Sequence, residues 1–205
     1  MDHHINLPFT EEDLEKIRPM DVLYLTGTVY TARDAAHKRM FETVMNELET
    51  LDGSGPDTDS TSAGMTVGDT GVDGTIITDE IRERIVKALP FDIRGAVIYY
   101  LGPTPAKPGQ VIGSAGPTTS GRMDRYTPIL LDLGLKGMIG KGRRSDEVTN
   151  AIRRNGAVYM GATGGAGALL SKCIKSSEII AYEDLGTEAV RKLYVEDFPV
   201  TVLIR

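Results

Sequence analysis

The sequence predicts an α/β fold, and three observations carry that prediction. Short apolar runs rich in β-branched and aromatic residues alternate with segments of helical periodicity. In the second half of the chain such runs lead into glycine-rich turns and then helical patterns. The run Gly95–Leu101 (GAVIYYL) is apolar on both faces, as a central strand covered on both sides should be. Turns at the carboxyl ends of strands are where such folds gather ligands.

Taken in order, Ile5 to Phe9 is predicted as a short first strand, and Glu11–Ile17 as a short helix with an acidic first turn that must end before Pro19. Asp21–Tyr30 (DVLYLTGTVY) has strand composition and should bend at Gly27. Thr31 and Asp34 have the spacing of a capping box, with aspartate replacing the usual glutamate, and open a helix to about Leu48. Arg33 and His37 then share one face near its start. His37 alone reads better as a structural or surface residue; beside Arg33 it could face a common anion. Asp52–Gly74 is rich in Gly, Asp, Ser and Thr and too apolar-poor to offset its ordering entropy, so residues 52–76 are expected to form a mobile surface insertion. Asp57 and Asp59 within it lack the glycine and terminal glutamate spacing of a calcium loop.

Thr78–Leu89 is helical, with Ile81, Ile85 and Leu89 on one stripe, and the three prolines of Gly102–Gly109 predict a rigid extended connection. That connection leads into Gly113–Arg125 (GSAGPTTSGRMDR), which concentrates glycines, hydroxyls and two arginines. Glycine permits close backbone approach to a ligand, free N–H groups at a following helix start can hold an anion, and the Arg122 fork suits a carboxylate or phosphate. An ordinary capped turn would use the same residue types. Tyr126–Leu133 follows as helix, Lys136–Gly140 as strand, and Ser145 as the N-cap of an acidic-start helix. Gly134–Gly142 is one residue too long for a P-loop and has Gly142 where Ser or Thr is needed. Ala157–Met160 is a strand; the turn Gly161–Gly167 does not fit the dinucleotide pattern, and the helix after it carries Cys173, best read as packing. Ser177–Tyr182, Val190–Val195 and Val200–Ile204 are predicted as three final strands.

With 205 residues, 40% of them hydrophobic, the chain predicts one domain over 1–205. A net charge of −6 argues against nucleic acid as a partner and confines any anion site to a local cluster of cations. The single cysteine excludes an intramolecular disulfide and cannot alone hold a metal cluster, which favours a reduced, cytoplasmic setting. No run approaches a membrane span, and the first residues lack a signal-peptide pattern. If Arg33, Arg122 and Lys141 converge, they form a site for a small dianion such as a dicarboxylate or a phosphorylated acid.

Longer motifs add a resemblance. TARDAAHKRM (Thr31–Met40), GPTPAKPGQVIGSAGPTTSGRMD (Gly102–Asp124), KGMIGKGRRS (Lys136–Ser145), GAVYMGATGGAGALLSK (Gly156–Lys172) and AYEDLG (Ala181–Gly186), continued by VEDFPV (Val195–Val200), resemble the β subunit or C-terminal domain of class I iron–sulfur hydro-lyases. That group comprises class I fumarase and L(+)-tartrate dehydratase. The resemblance implies a swivelling β/β/α domain that supplies half an active site. It implies a 4Fe–4S cluster held by three cysteines of a partner α subunit or domain, none of its ligands coming from this chain, and an α2β2 assembly. By the same resemblance Arg33, Arg122 and Lys141 bind the substrate carboxylates, Thr118 stands near the carbon that loses a proton with Thr119 beside it, and His37 orients groups in the pocket. Cations so placed would stabilise the enolate-like charge that develops. A threonine hydroxyl needs an activating neighbour, expected from the partner. Malate and fumarate are the leading substrates, on Gly121 and Met123-Asp124. Tartrate dehydratase and a non-catalytic carboxylate-binding or assembly subunit are the alternatives. The insertion and the end at Arg205 depart from the pattern.

Overall fold

The long second strand organises the sheet. The computed structural model of the chain describes residues 1–52, 78–163 and 165–205. In it β2 (Val22–Thr31) pairs in parallel with β1 (Asp2–Asn6) along its first half and with β3 (Val97–Tyr99) at its last two residues. From β3 the sheet continues in parallel through β4 (Gly137–Gly140) to β5 (Val158–Gly161). The final strand, β7 (Val190–Ile204), runs antiparallel to β5 on one side and to β2 on the other. The order β2–β3–β4–β5–β7 therefore returns to β2 and closes a barrel, with β6 (Ile174–Ala181) paired on β7. Closure leaves few unpaired strand edges.

Side-chain alternation explains why β3 is apolar on both faces. Val97, Tyr99, Ile139, Val158 and Met160 share one core with Leu23, Leu25, Leu193 and Val202. Their neighbours Ile98, Met138 and Tyr159 point the other way, into a second core. That core is covered by α2 (Asp34–Asp52), α3 (Asp79–Ala88), α4 (Thr127–Asp132) and α5 (Asp146–Arg154). A shorter helix, α1 (Glu11–Lys16), caps the first core with Leu14, and α6 (Gly167–Cys173) adds Leu170. The mixed α/β class follows from these two layers.

Helix starts follow the local rules. Thr78 and Ser145 accept from Ile81 N and Val148 N, and α1 has a capping box between Thr10 and Asp13 that the sequence reading passed over. The box predicted at Thr31 and Asp34 is replaced by something else. Thr31 is buried as the last residue of β2, and its hydroxyl accepts from Arg191 N at 3.0 Å and lies 3.3 Å from the Ala189 carbonyl. Asp34 is the first residue of α2, which runs on to Asp52 rather than stopping near Leu48.

Two strand boundaries also differ. The first strand lies at Asp2–Asn6, not Ile5–Phe9, because its pairing with β2 ends as Leu7 N reaches Thr26 O and Pro8 has no N–H to offer. The predicted pair Val190–Val195 and Val200–Ile204 is one strand. Asp197, at φ 45°, sits where the register against β2 slips between Leu25 and Gly27, and its N–H donates to Thr26 Oγ1 at 3.1 Å. The slip is a β-bulge, and a bulge is hard to tell from a turn by composition alone. The insertion predicted at 52–76, with Asp57 and Asp59, lies outside the described residues apart from Asp52. Among the described residues no helix is long and apolar enough to cross a membrane.

Candidate active site

The motif loop 113–125 lies over the carboxyl ends of β3 and β4. Thr118 N donates to Tyr100 O at 2.7 Å, Lys141 N to Thr118 O at 3.2 Å, and Ser120 N to Lys141 O at 2.8 Å. These bonds place Thr118 and Thr119 directly beside Lys141 in the next loop, through a parallel bridge between Thr119 and Lys141. From below, the Tyr99 hydroxyl donates to Ala115 O at 2.5 Å, tying the loop to the barrel core. Gly140 is the close-approach position: a Cβ there would overlap Ser120 Oγ and come within 2.8 Å of Tyr100 Cδ2. Ser120 itself is buried, its Oγ 2.8 Å from the Tyr159 hydroxyl. Thr119 is exposed and Thr118 half-buried, and the Thr119 hydroxyl makes no capping bond to the 3-10 turn Ser120–Met123 that follows.

Arg33 and Arg122 meet across one carboxylate. Arg122 Nε lies 2.7 Å from Asp34 Oδ1, and Arg33 Nη2 lies 3.7 Å from Asp34 Oδ2 and 3.3 Å from Glu188 Oε1. Arg33 also crosses the backbone of Gly102, where a Cβ would fall 2.6 Å from Nη1. Lys141 is exposed and makes no ion pair among the described residues. Arg33 and Arg122 are thus brought together directly, and Lys141 joins Thr118 and Thr119 through the loop backbone.

His37 lies beneath this surface, not on it. It is fully buried, its Nδ1 is 3.0 Å from the Arg33 carbonyl, and it packs edge-on to Tyr100 at 5.2 Å. A carbonyl only accepts, so Nδ1 carries the proton and Nε2, which has no partner, is a bare lone pair. Burial pushes its pKa down to about 4, the Arg33 carbonyl opposes this, and Arg144 adds to the depression. Between about pH 4 and the ordinary 6.5 the unfolded chain holds a proton here that the folded chain does not. Stability therefore falls as pH drops through that window, by up to about 3 kcal/mol. Nuclear magnetic resonance titration should find this imidazole still neutral at pH 5; protonation near 6.5 would refute the buried, neutral assignment.

A cleft of about 430 Å³ opens beside Arg33, between the proline-rich connection and the 3-10 segment Glu183–Glu188. Its rim includes Val111 and Ile179, both exposed, and Thr187, whose carbonyl lies 3.3 Å from the Cβ position of Gly102.

Residues 2–53 and 66–205 match the Fumarase C-terminus family. The chain belongs to that family. Among similar proteins, the chain is 36% identical over 184 residues to "Fumarate hydratase class I, anaerobic" of Escherichia coli, covering 89% of this chain and 26% of that protein. It is 33% identical over 205 residues to "Fumarate hydratase 1, mitochondrial" of Leishmania major, covering 98% of this chain and 30% of that protein. It is 29% identical over 194 residues to "Putative L(+)-tartrate dehydratase subunit beta" of Methanocaldococcus jannaschii, covering 92% and 80%. The chain thus spans about a quarter to a third of the fumarate hydratases it matches.

In this fumarase C-terminus domain three site residues escaped the sequence reading. Asp34 has the spacing of a helix cap and Glu188 carries no motif, yet they are the carboxylates that hold the two arginines. Arg144 is fully buried and donates to Asp124 Oδ1 (2.6 Å), Tyr100 Oη (3.1 Å) and Thr127 Oγ1 (2.7 Å). Burial alone would lower its pKa, but Tyr100 and Asp124 outweigh it and leave the guanidinium above its ordinary value. Asp124 Oδ2 also accepts from Ser145 N at 2.7 Å. The only local signal was the GRMD aspartate, which a buried arginine could have been expected to pair.

The described residues of this domain do not fit an iron–sulfur cluster. Among the described residues no three His, Cys, Asp or Glu side chains stand together as ligands. Cys173 is half-buried at the end of α6, its thiol pushed up by burial, and its sulfur faces the Asp197 carbonyl.

Proposed function

We propose that this domain is the β-subunit half of a hydro-lyase active site, interconverting (S)-malate with fumarate and water. The observation that supports this best is the pairing of Arg33 and Arg122 at the site edge that also carries Thr118, Thr119 and Lys141. In this reading Arg122 and Lys141 grip substrate carboxylates, with Arg33 completing the cationic wall. The Thr118 oxygen takes the proton from C3 as its own proton passes to the activating carboxylate, and the C2 hydroxyl leaves as hydroxide that takes up that proton, so malate yields fumarate and one water. A carboxylate of the partner activates Thr118, and Thr119 assists beside it. His37, neutral and buried, orients the Arg33 turn from below. The partner α subunit carries the 4Fe–4S cluster in a cytoplasmic α2β2 assembly, and this domain swivels against it, with the rim of Val111 and Ile179 covered by that partner. The coverage of a relative named as a β subunit supports the separate-subunit form. It is also the observation that favours the second reading, in which tartrate is the substrate.

The test is anaerobic co-purification with the cysteine-bearing partner, followed by fumarate absorbance from malate, with tartrate alongside. Thr118→Ala should lower turnover at least about 10²-fold, the usual contribution of a positioned proton acceptor. Near-normal turnover in that variant would remove Thr118 from the mechanism. Preference for tartrate would change the substrate, and no turnover on either acid with an intact cluster would leave a carboxylate-binding subunit.

A further inference from the structure

Each of the two arginines is held from behind by its own carboxylate. Glu188 takes Arg33 at 3.3 Å with Oε1, while its Oε2 accepts from Ala35 N at 2.8 Å and so anchors the start of α2. Asp34 Oδ1 lies 2.7 Å from Arg122 Nε. Among the described residues no hydrogen bond and no other ion pair engages the Arg122 guanidinium, so its Nη1 and Nη2 donors are uncommitted. The start of α2 and the residue before it also bury three polar atoms with no hydrogen-bond partner: Arg33 Nε, Asp34 Oδ2 and His37 Nε2. Buried polar atoms left unpaired in a native protein call for a physical reason.

We propose that Asp34 is a positioning residue for dicarboxylate binding: by holding Arg122 through Nε it presents the Nη1–Nη2 edge as an open fork. The proposal rests on the dicarboxylate reading of this site. A guanidinium has two edges that can meet a carboxylate bidentately, and contact at Nε leaves the terminal edge available. Arg122 is about half exposed, its side chain at 51% of full exposure, and it stands on a single 3-10 turn. Unheld, such a side chain populates several rotamers, and a ligand must then freeze them. Asp34 restricts them before the ligand arrives. Its negative charge opposes a substrate carboxylate, but from the far side of the guanidinium and 30% exposed, where solvent screens it. Orientation therefore outweighs repulsion. The same carboxylate reaches toward Arg33, which couples the two arginines through α2.

Succinate, a dicarboxylate with no hydroxyl to lose, separates binding from turnover. It is titrated by calorimetry into the complex with the cluster-bearing partner, for the wild type, Asp34→Asn, Asp34→Ala and Asp34→Ser. Asparagine keeps an oxygen that can accept from Arg122 Nε; serine suits a helix start but is too short to reach it. Alanine and serine should weaken succinate about tenfold and raise the malate KM similarly with kcat changed less than about threefold, while asparagine stays within about threefold of wild type. A general loss of folding would not divide KM from kcat in this way. Equal or tighter succinate binding in Asp34→Ala or Asp34→Ser would overturn the proposal, as would asparagine failing as badly as serine. Wild-type protein that binds no succinate would overturn the dicarboxylate reading itself, and the role of Asp34 with it.

Discussion

Arg122→Met, in the assembled enzyme, should lower kcat/KM for malate by about 10²–10³-fold, the loss seen when one preorganised donor to a developing negative charge is removed. Methionine preserves length and apolar bulk, so the turn Ser120–Met123 keeps its packing through buried Ser120 and Met123. What disappears is the planar cation at 2.7 Å from Asp34, which among the described residues leaves Asp34 only Arg33, at 3.7 Å, as a charge-balancing partner. Lysine should restore little, because a point charge cannot be held at Nε and still offer two parallel donors. Steady-state kinetics on malate with the partner bound decides it; a loss smaller than tenfold would take Arg122 out of the carboxylate grip.

Arg144→Met should cost about 3–5 kcal/mol of folding stability, the range for removing one partner of a buried ion pair. The guanidinium is fully buried and stands over the Tyr100 and Tyr159 rings at 5.4 and 5.1 Å. Its loss strands Asp124, whose side chain is only 17% exposed, and leaves the hydroxyls of Tyr100 and Thr127 without their donor. Chemical denaturation reads the effect directly, with little change in m-value if the fold is retained. The double variant Arg144→Met/Asp124→Asn should be less damaging than the sum of the two singles, since the stranded charge is then gone. A cost below about 1 kcal/mol would put Arg144 in the class of exposed, screened pairs. The consequence reaches function, because Arg144 ties the loop that carries Thr118 and Arg122 to the loop that carries Lys141.

The elements that sequence reading located well are those set by neighbours a few residues away. Ser145 and Thr78 start helices because a hydroxyl reaches an N–H three residues on, and the alternating faces of Val97–Tyr99 make a strand whatever lies beyond. The candidate site residues were singled out for a different reason: TTSGR and the lysine after KGMIG lie in long, ordered motifs. Reading failed where a side chain chooses between partners distant in the chain. Asp34 has the right type and place for a cap, and its actual partner, Arg122, is visible only once the motif loop folds over α2. Arg144 looks like a surface residue by type and His37 reads as structural or surface, and the packing of Tyr100, Tyr126 and Tyr159 around them buries both.

By itself the sequence determined the α/β class, most of the helices and strands, and the set of cations and hydroxyls available for chemistry, because periodicity, capping and residue type are local properties. Tertiary structure alone decided that β7 closes the sheet against β2, that a bulge at Asp197 makes one strand of two, and that Asp34 and Glu188 stand behind the arginines. These outcomes depend on contacts between segments far apart in the chain, where the gain from pairing and burial competes with loop entropy, and no local pattern records which pairing wins.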